Sequence, residues 1–344
     1  MTTFSTPGVY VRPARRVRPV GPLVRSDVAA FLGYTRKGPA YRPVRIEAWR
    51  EFLARFGEPY DVGYLAPAVR AFFENGGSTC WVVRVVDDSA STASWTSDPV
   101  TVDGTTSRWR FRASFHVGAL DEPEGLAVGS GPTGSAPGPG GTPAERRLPE
   151  PGALGNQLTV SVTRDVSFRT RTVPGILEEG FVTQVEGLGG LEEHSVVRLH
   201  QDGEEGAPSV DAVLAVASMD RARLRVGWHE SLSGAGFDLL RPIRLESVEV
   251  GLRVLAGGRV VETFRRLGVH PDHGRAFTRV VPRESEWVEV ELITSDGVDS
   301  AELPWTRPEL WPPETEATLS GGTDGVTGIS AEHYERALDQ VARI

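Results

Sequence analysis

Apolar positions follow one rhythm up to about residue 90 and a different one beyond it. Residues 28–34 (VAAFLGY) are a short apolar run with Gly33 near its end, which predicts a buried strand. Gly38-Pro39 marks a turn. Ile46, Trp49, Phe52, Leu53 and Phe56 recur at helical spacing and predict an amphipathic helix ended by Gly57 and Pro59. Leu65, Val69, Phe72 and Phe73 repeat the pattern in a second helix, stopped by Asn75-Gly76-Gly77. Residues 80–86 (CWVVRVV) are apolar except for Arg84 and predict a second buried strand. Two strands joined by a helical crossover lie parallel, with the crossover on one face. Gly76-Gly77 follows a helix and precedes a strand, the reverse of a phosphate cradle, so it reads as a helix C-cap.

Past Asp87-Asp88 the helical spacing gives way to Ser, Thr, Gly and period-two alternation, which places a boundary near residue 90. Trp109, Phe111 and Phe115 fall on one face of a stretch running from 95 to 117. Residues 121–150 are rich in Gly, Pro and Ser, with little to bury, and predict a mobile surface loop. Short alternating runs at 195–199, 212–216 and 224–228 follow, with turns expected at Asp202-Gly203 and Met219-Asp220, in the manner of a small all-β barrel. Residues 246–255 and 259–267 flank Gly257-Gly258 as a hairpin. After Ser330, an N-cap residue, Tyr334, Ala337, Leu338 and Val341 mark one face of a last helix.

Composition narrows the class. The 344 residues allow two or three domains, and 39 Gly and 25 Pro imply many turns. No apolar run approaches the roughly 18 residues of a membrane helix. The N-terminus lacks the apolar core of a secretory signal. Cys80 has no second cysteine to pair with, which fits a reducing cytoplasm. A net charge of -9 argues against nucleic acid as a partner. Arg12, Arg15, Arg16, Arg18 and Arg25 nevertheless make the N-terminal arm basic, either a solvated tail or an arm that docks on an acidic copy of the same chain.

Candidate chemistry is sparse. His270-Pro271-Asp272-His273 is the one tight cluster of metal-ligand types. A metal needs three or four converging ligands, and a turn at Pro271 splays these side chains, so the expectation is a solvated turn and no metal or cofactor. A hydrolase using His270, Asp272 and His273 is the enzyme-class alternative. Glu192-Glu193 and Glu204-Glu205 read as solvated surface. Trp305 and Trp311 suggest an extended crossing segment, with a carbohydrate-binding aromatic platform as the alternative. No G-x-S-x-G, H-E-x-x-H or G-x-x-x-x-G-K-[ST] motif occurs, and no enzyme activity is expected.

Several segments, taken in order, resemble contractile tail sheath proteins of phages, tailocins and extracellular injection systems. They are PGVYV at 7–11, FLGYTRKGP at 31–39, WREFLARFG at 49–57, YLAPAVRAFFENGG at 64–77 and WVVRVV at 81–86. PGALGNQLTV at 151–160 and LSGGTDG at 319–325 continue the likeness, as do stretches of 261–290. The resemblance implies a mixed α+β fold: an N-terminal arm over 1–25, an interrupted α/β domain over 26–90 plus 318–344, and a barrel- or sandwich-like β-rich insertion over 91–317. It implies that Phe4, Val9, Tyr10 and Val11 form an assembly arm that adds a strand to a neighbouring subunit. It implies that Gly321, Gly322, Asp324 and Gly325 form the loop returning the chain to the first domain. Implied partners are other copies of the chain, an inner tube protein, and baseplate and cap proteins. The implied setting is the cytoplasm of the producing bacterium, then the assembled tail or particle. Family members continue past the last helix with further strands, a tube-facing helix and a C-terminal arm, whereas this sequence stops at Ile344. A short or truncated sheath paralogue with a baseplate or cap role is therefore the alternative within the family, and a carbohydrate-binding surface module the alternative outside it.

Overall fold

The computed structural model describes residues 28–59, 63–114, 150–203 and 208–342. Phe4, Val9, Tyr10 and Val11, residues 121–149 of the expected loop, Phe115 and Glu204-Glu205 lie outside these. The architecture is mixed α and β with a large β-rich insertion.

The first unit contains β1 (Val28–Gly33), β2 (Pro43–Ile46), α1 (Trp49–Phe56), α2 (Leu65–Glu74) and β3 (Thr79–Arg84). β3 is central, parallel to β1 and antiparallel to β2. The sequence reading missed β2 and placed Ile46 on the helix. Val44 and Ile46 are buried while Arg45 between them is exposed, the period-two signature of a strand too short to register against the helical spacing that follows. Ile46 still joins Phe52, Phe56, Leu65, Val69 and Val82 in one core. α2 ends in a Schellman motif: Gly77 N–H donates to the Phe72 carbonyl, Gly76 N–H to that of Phe73, and Gly76 has φ +88°.

The insertion is itself nested. β4 (Ser94–Thr96), β5 (Val100–Val102), β6 (Thr105–Ala113) and β7 (Leu158–Asp165) lead into a closed six-stranded barrel. The barrel is built from β8 (Arg169–Leu177), β9 (Val182–Val185), β10 (Val196–Gln201), β11 (Val210–Asp220), β12 (Arg225–Trp228) and β13 (Arg244–Ser247). Met219 and Asp220 continue β11 rather than turning; the turn falls on 221–224, with Leu224 at φ +52°. Val197, Leu199, Val216, Val226, Trp228 and Leu245 fill the barrel, and the Trp228 indole donates to Thr183 Oγ1 at 3.0 Å.

The chain then returns through β14 (Glu249–Ala256), β15 (Arg259–Gly268), α3 (Phe277–Glu284), β16 (Val288–Thr294) and β17 (Thr315–Thr318). Two sheets, β15-β14-β7-β17 and β16-β6-β4, share one core with α3. Leu158, Val160 and Val162 on β7 and Trp109, Phe111 and Ala113 on β6 point into it at period two. On the outer face Arg110 pairs with Glu291 at 3.1 Å, and Arg112 with Glu291 at 2.8 Å, opposite charges on adjacent strands. Trp305 and Trp311 are buried, not displayed: their indoles donate to the Ser300 and Trp305 carbonyls, and the segment is made of short 3-10 turns. They form no exposed aromatic platform.

α4 (Ala331–Val341) packs back on the first sheet, on the face away from α1 and α2. The Ser330 capping box is present, closed by His333. The buried stripe differs from the expected one. Ala337 is fully buried and packs with Val83 and Val85, whereas Tyr334 and Leu338 face outward. Ala337 makes the buried contact, Val341 of the expected face packs beside it, and the larger Tyr334 and Leu338 lie off the contact line.

Candidate functional site

The two glycine-rich segments singled out in sequence meet at one place, where the outgoing chain after β3 runs beside the returning chain after β17. Asp87 N–H donates to the Gly325 carbonyl at 2.7 Å, Ser91 and Thr323 form an antiparallel bridge, and so do Ser94 and Ser320. Gly152 bridges to Thr92 from the third side. Asn156 locks the assembly. Its amide nitrogen donates to the Gly322 carbonyl at 2.9 Å, and its amide oxygen accepts the Gly322 N–H at 2.8 Å. Asp324 Oδ1 accepts the Ala153 N–H at 2.7 Å, and Asp87 Oδ2 accepts the Gly328 N–H at 2.6 Å.

The glycines have separate reasons. A Cβ at Gly322 would overlap the Gly152 carbonyl oxygen and sit 2.9 Å from Ala93 Cβ. A Cβ at Gly325 would sit 2.5 Å from Ala90 Cβ, with φ already at +59°. Gly321 has φ +80° with open space around it, so only its backbone conformation demands glycine. Close backbone approach is what this sequence encodes here.

Two charged residues that sequence reasoning did not connect complete the junction. Arg84, fully buried on β3, donates through Nη1 to the carbonyls of Gly38 at 2.9 Å and Pro151 at 2.7 Å. Glu150, 2% exposed, accepts the Gly38 N–H at 2.8 Å. Burial pushes the Glu150 carboxyl up to about 7, against the pull of the Gly38 amide and of Arg84. Burial lowers Lys37 beside it. The available signal was Arg84 as the lone charge in an apolar strand, because a buried cation must find acceptors. Its partners lie 46 and 67 positions away and leave no local trace.

The second candidate is the histidine turn. His273 N–H donates to the His270 carbonyl at 3.1 Å, closing a turn with Pro271 at its second position. The turn does not splay its side chains as expected. His270 and Asp272 project together, and His194, on the loop before β10, joins them. One ligand-type atom from each lies within 4.8 Å of the others, and the two imidazoles stack with centroids 5.0 Å apart. Burial, and then the neighbouring His194, lower the basicity of His270. His273 is buried rather than solvated and turns away, its Nδ1 accepting the Arg275 N–H at 3.0 Å. The trio His270, Asp272 and His273 of the hydrolase alternative is thus not assembled. His194 was missed because it lies on another strand system, 76 positions before His270.

No family model matches the chain, and no curated protein matches it. Among solved structures, a sheath tail protein from Desulfitobacterium hafniense is similar at 12% identity and a TM-score of 0.36, over 97% of this chain and 43% of that one. A sheath tail protein from Listeria innocua is similar at 10% identity and a TM-score of 0.36, over 92% of this chain and 38% of that one. The chain spans less than half the length of either. Among the described residues, no helix is long and apolar enough to cross a membrane.

Proposed function

We propose that this chain is a structural subunit of a contractile injection machine, forming or contributing to the helical sheath that contracts around an inner tube. The observation that carries the reading is the junction. The segments PGALGN and LSGGTDG, which carry the sheath resemblance in sequence, interlock through the Asn156–Gly322 pair although 166 positions separate them. Their glycines and Asn156 thereby acquire a mechanical purpose: they clamp the α/β unit to its β-rich insertion, so that the subunit moves as a rigid body. Gly321, Gly322, Asp324 and Gly325 act as the return loop of an interrupted domain over 26–90 and 318–344, and no active site is required of them.

In this reading Phe4, Val9, Tyr10 and Val11 link one copy to the next by adding a strand to a neighbour's sheet. Among the described residues β1 has a strand partner on one side only, an edge suited to receive one. The partners are other copies, an inner tube protein, and baseplate and cap proteins, first in the cytoplasm of the producing cell and then in the particle. Sedimentation velocity tests the linkage. The unmodified chain should form larger species as concentration rises, and a Val9→Asp, Tyr10→Asp double variant should remain small. Identical distributions for the two would remove the arm from the assembly.

A further inference from the structure

We propose that His194, His270 and Asp272 form a binding site for a divalent transition-metal ion of the zinc class, tying the barrel to the sheet pair. Three features carry this. First, the donor set is right: two imidazoles and a carboxylate suit zinc and its neighbours, with water filling the remaining positions. Second, the donors lie close together. Ligands at 2.0–2.2 Å from a tetrahedral ion stand about 3.3–3.5 Å apart, and here all three atoms lie within 4.8 Å, with His270 Nδ1 at 3.9 Å from Asp272 Oδ2. The imidazoles are stacked 21° from parallel, so ligation requires a ring of the pair to swing about its side-chain torsions until both lone pairs meet at one ion, with the exposed Asp272 rotating to join them.

Third, the backbone that presents them is held in place. Arg279 of α3 donates to the Pro271 carbonyl at 2.6 Å and the His273 carbonyl at 3.1 Å, and a Gly268–Ala276 bridge closes the loop. On the barrel side His194 N–H donates to the Val216 carbonyl at 2.9 Å, and His194 itself adopts φ +65°. The Asp272 N–H donates to His270 Nδ1 at 3.1 Å. Ligation gives up this one bond, and water replaces it on the exposed turn. Trp305, 6.4 Å from the His270 ring, walls the inner side, and the exposed carboxylate leaves an entry path.

The consequence is structural. The barrel already joins the sheets through the β7–β8 and β13–β14 connections and through Val196 and Val213, which pack into the sheet core, and an ion shared by His194 and His270 adds a further tie. His200 with Asp202 and Asp211 is a weaker competitor: its two ring nitrogens face different carboxylates, at 3.1 and 2.7 Å, so one ion cannot collect all three.

The test is calorimetric titration of the chelator-treated full chain with Zn2+, with Co2+ absorption as a second readout. One ion per chain should bind, with the d–d bands of a four- or five-coordinate site. His194→Ala and His270→Ala should each lose more than the roughly 10–100-fold that even outer-sphere changes cost. Asp272→Asn should weaken binding, and His200→Ala should leave it unchanged. Circular dichroism of each variant establishes that it is folded, and His194→Gln replaces His194→Ala where that variant is not. Absence of binding by the unmodified chain, or undiminished binding by a folded variant of either His194 or His270, overturns the proposal.

Discussion

Replacing Gly322 by alanine is the sharpest perturbation of the junction. The added methyl would overlap the Gly152 carbonyl oxygen and lie 2.9 Å from Ala93 Cβ and 3.0 Å from Ala93 N. Carbon atoms pack best at about 3.5–4.0 Å, so one of three backbone segments must move by about an ångström. All three are tethered: Gly152 N–H to the Ser91 carbonyl at 3.1 Å, Gly322 to Asn156 at 2.8 and 2.9 Å, and the Ser94–Ser320 bridge one step away. Overpacking costs about 1–3 kcal/mol. Losing the two Asn156 bonds costs about 0.5–1.5 kcal/mol each. A total of about 2–6 kcal/mol is a large part of the roughly 5–15 kcal/mol that holds a domain. Gly321→Ala is the control, because its methyl meets nothing within 4 Å and only the positive φ is strained, for about 1–2 kcal/mol. Urea midpoints of the two variants and of Asn156→Ala decide the matter. Gly322→Ala should be the least stable and Asn156→Ala should follow it. A Gly322→Ala midpoint equal to the parent's, or above that of Gly321→Ala, would refute the close-approach account.

Glu150 gives a pH signature. Its carboxyl titrates at about 7 in the fold against 4.5 ordinarily, so its contribution is full below about pH 4.5 and is lost as pH rises through 7. The interval corresponds to about 3 kcal/mol, and Glu150→Gln should therefore gain on the parent by up to that amount between pH 5 and 8; a pH-independent difference would contradict the buried, protonated carboxyl. On α4, Leu338→Ala should change stability by no more than about 0.5 kcal/mol, since the side chain is 54% exposed. Ala337→Leu, at a fully buried contact, should cost about 1–3 kcal/mol. Equal urea midpoints for these two would mean that α4 does not pack on β3.

What the sequence disclosed depended on how locally each feature is written. α1, α2 and β3 announce themselves, because their apolar spacing is set by their own burial and their ends by Gly and Asn. The hairpin of β14 and β15 is equally local, with Gly257 and Gly258 at φ +56° and +80° where a tight right-twisted turn needs them. β2 was hidden because its four residues merge with the helical spacing after it. α3 was hidden because Pro282 stands inside an eight-residue helix, where it suggests a break. The orientation of α4 was only partly legible: Ala337 and Val341 pack on the sheet as the spacing implied, but Tyr334 and Leu338 of the same apolar stripe are left outside the contact. The junction was half legible. Its glycines and Asn156 stood out as a pattern, but the pairing of Arg84 and Glu150 with Gly38 exists only once distant segments meet. The same holds for His194 beside His270, whose partnership depends on how the barrel seats against the sheets.

The central claim is that this chain builds the sheath of a contractile particle. Immunogold labelling of an epitope-tagged chain on particles purified from the producing cell, imaged in negative stain, addresses it directly. The account predicts label along the shaft in extended and contracted particles, and no contractile shaft when the chain is deleted. Intact, unlabelled shafts in the tagged strain, with normal particles after deletion, would contradict it.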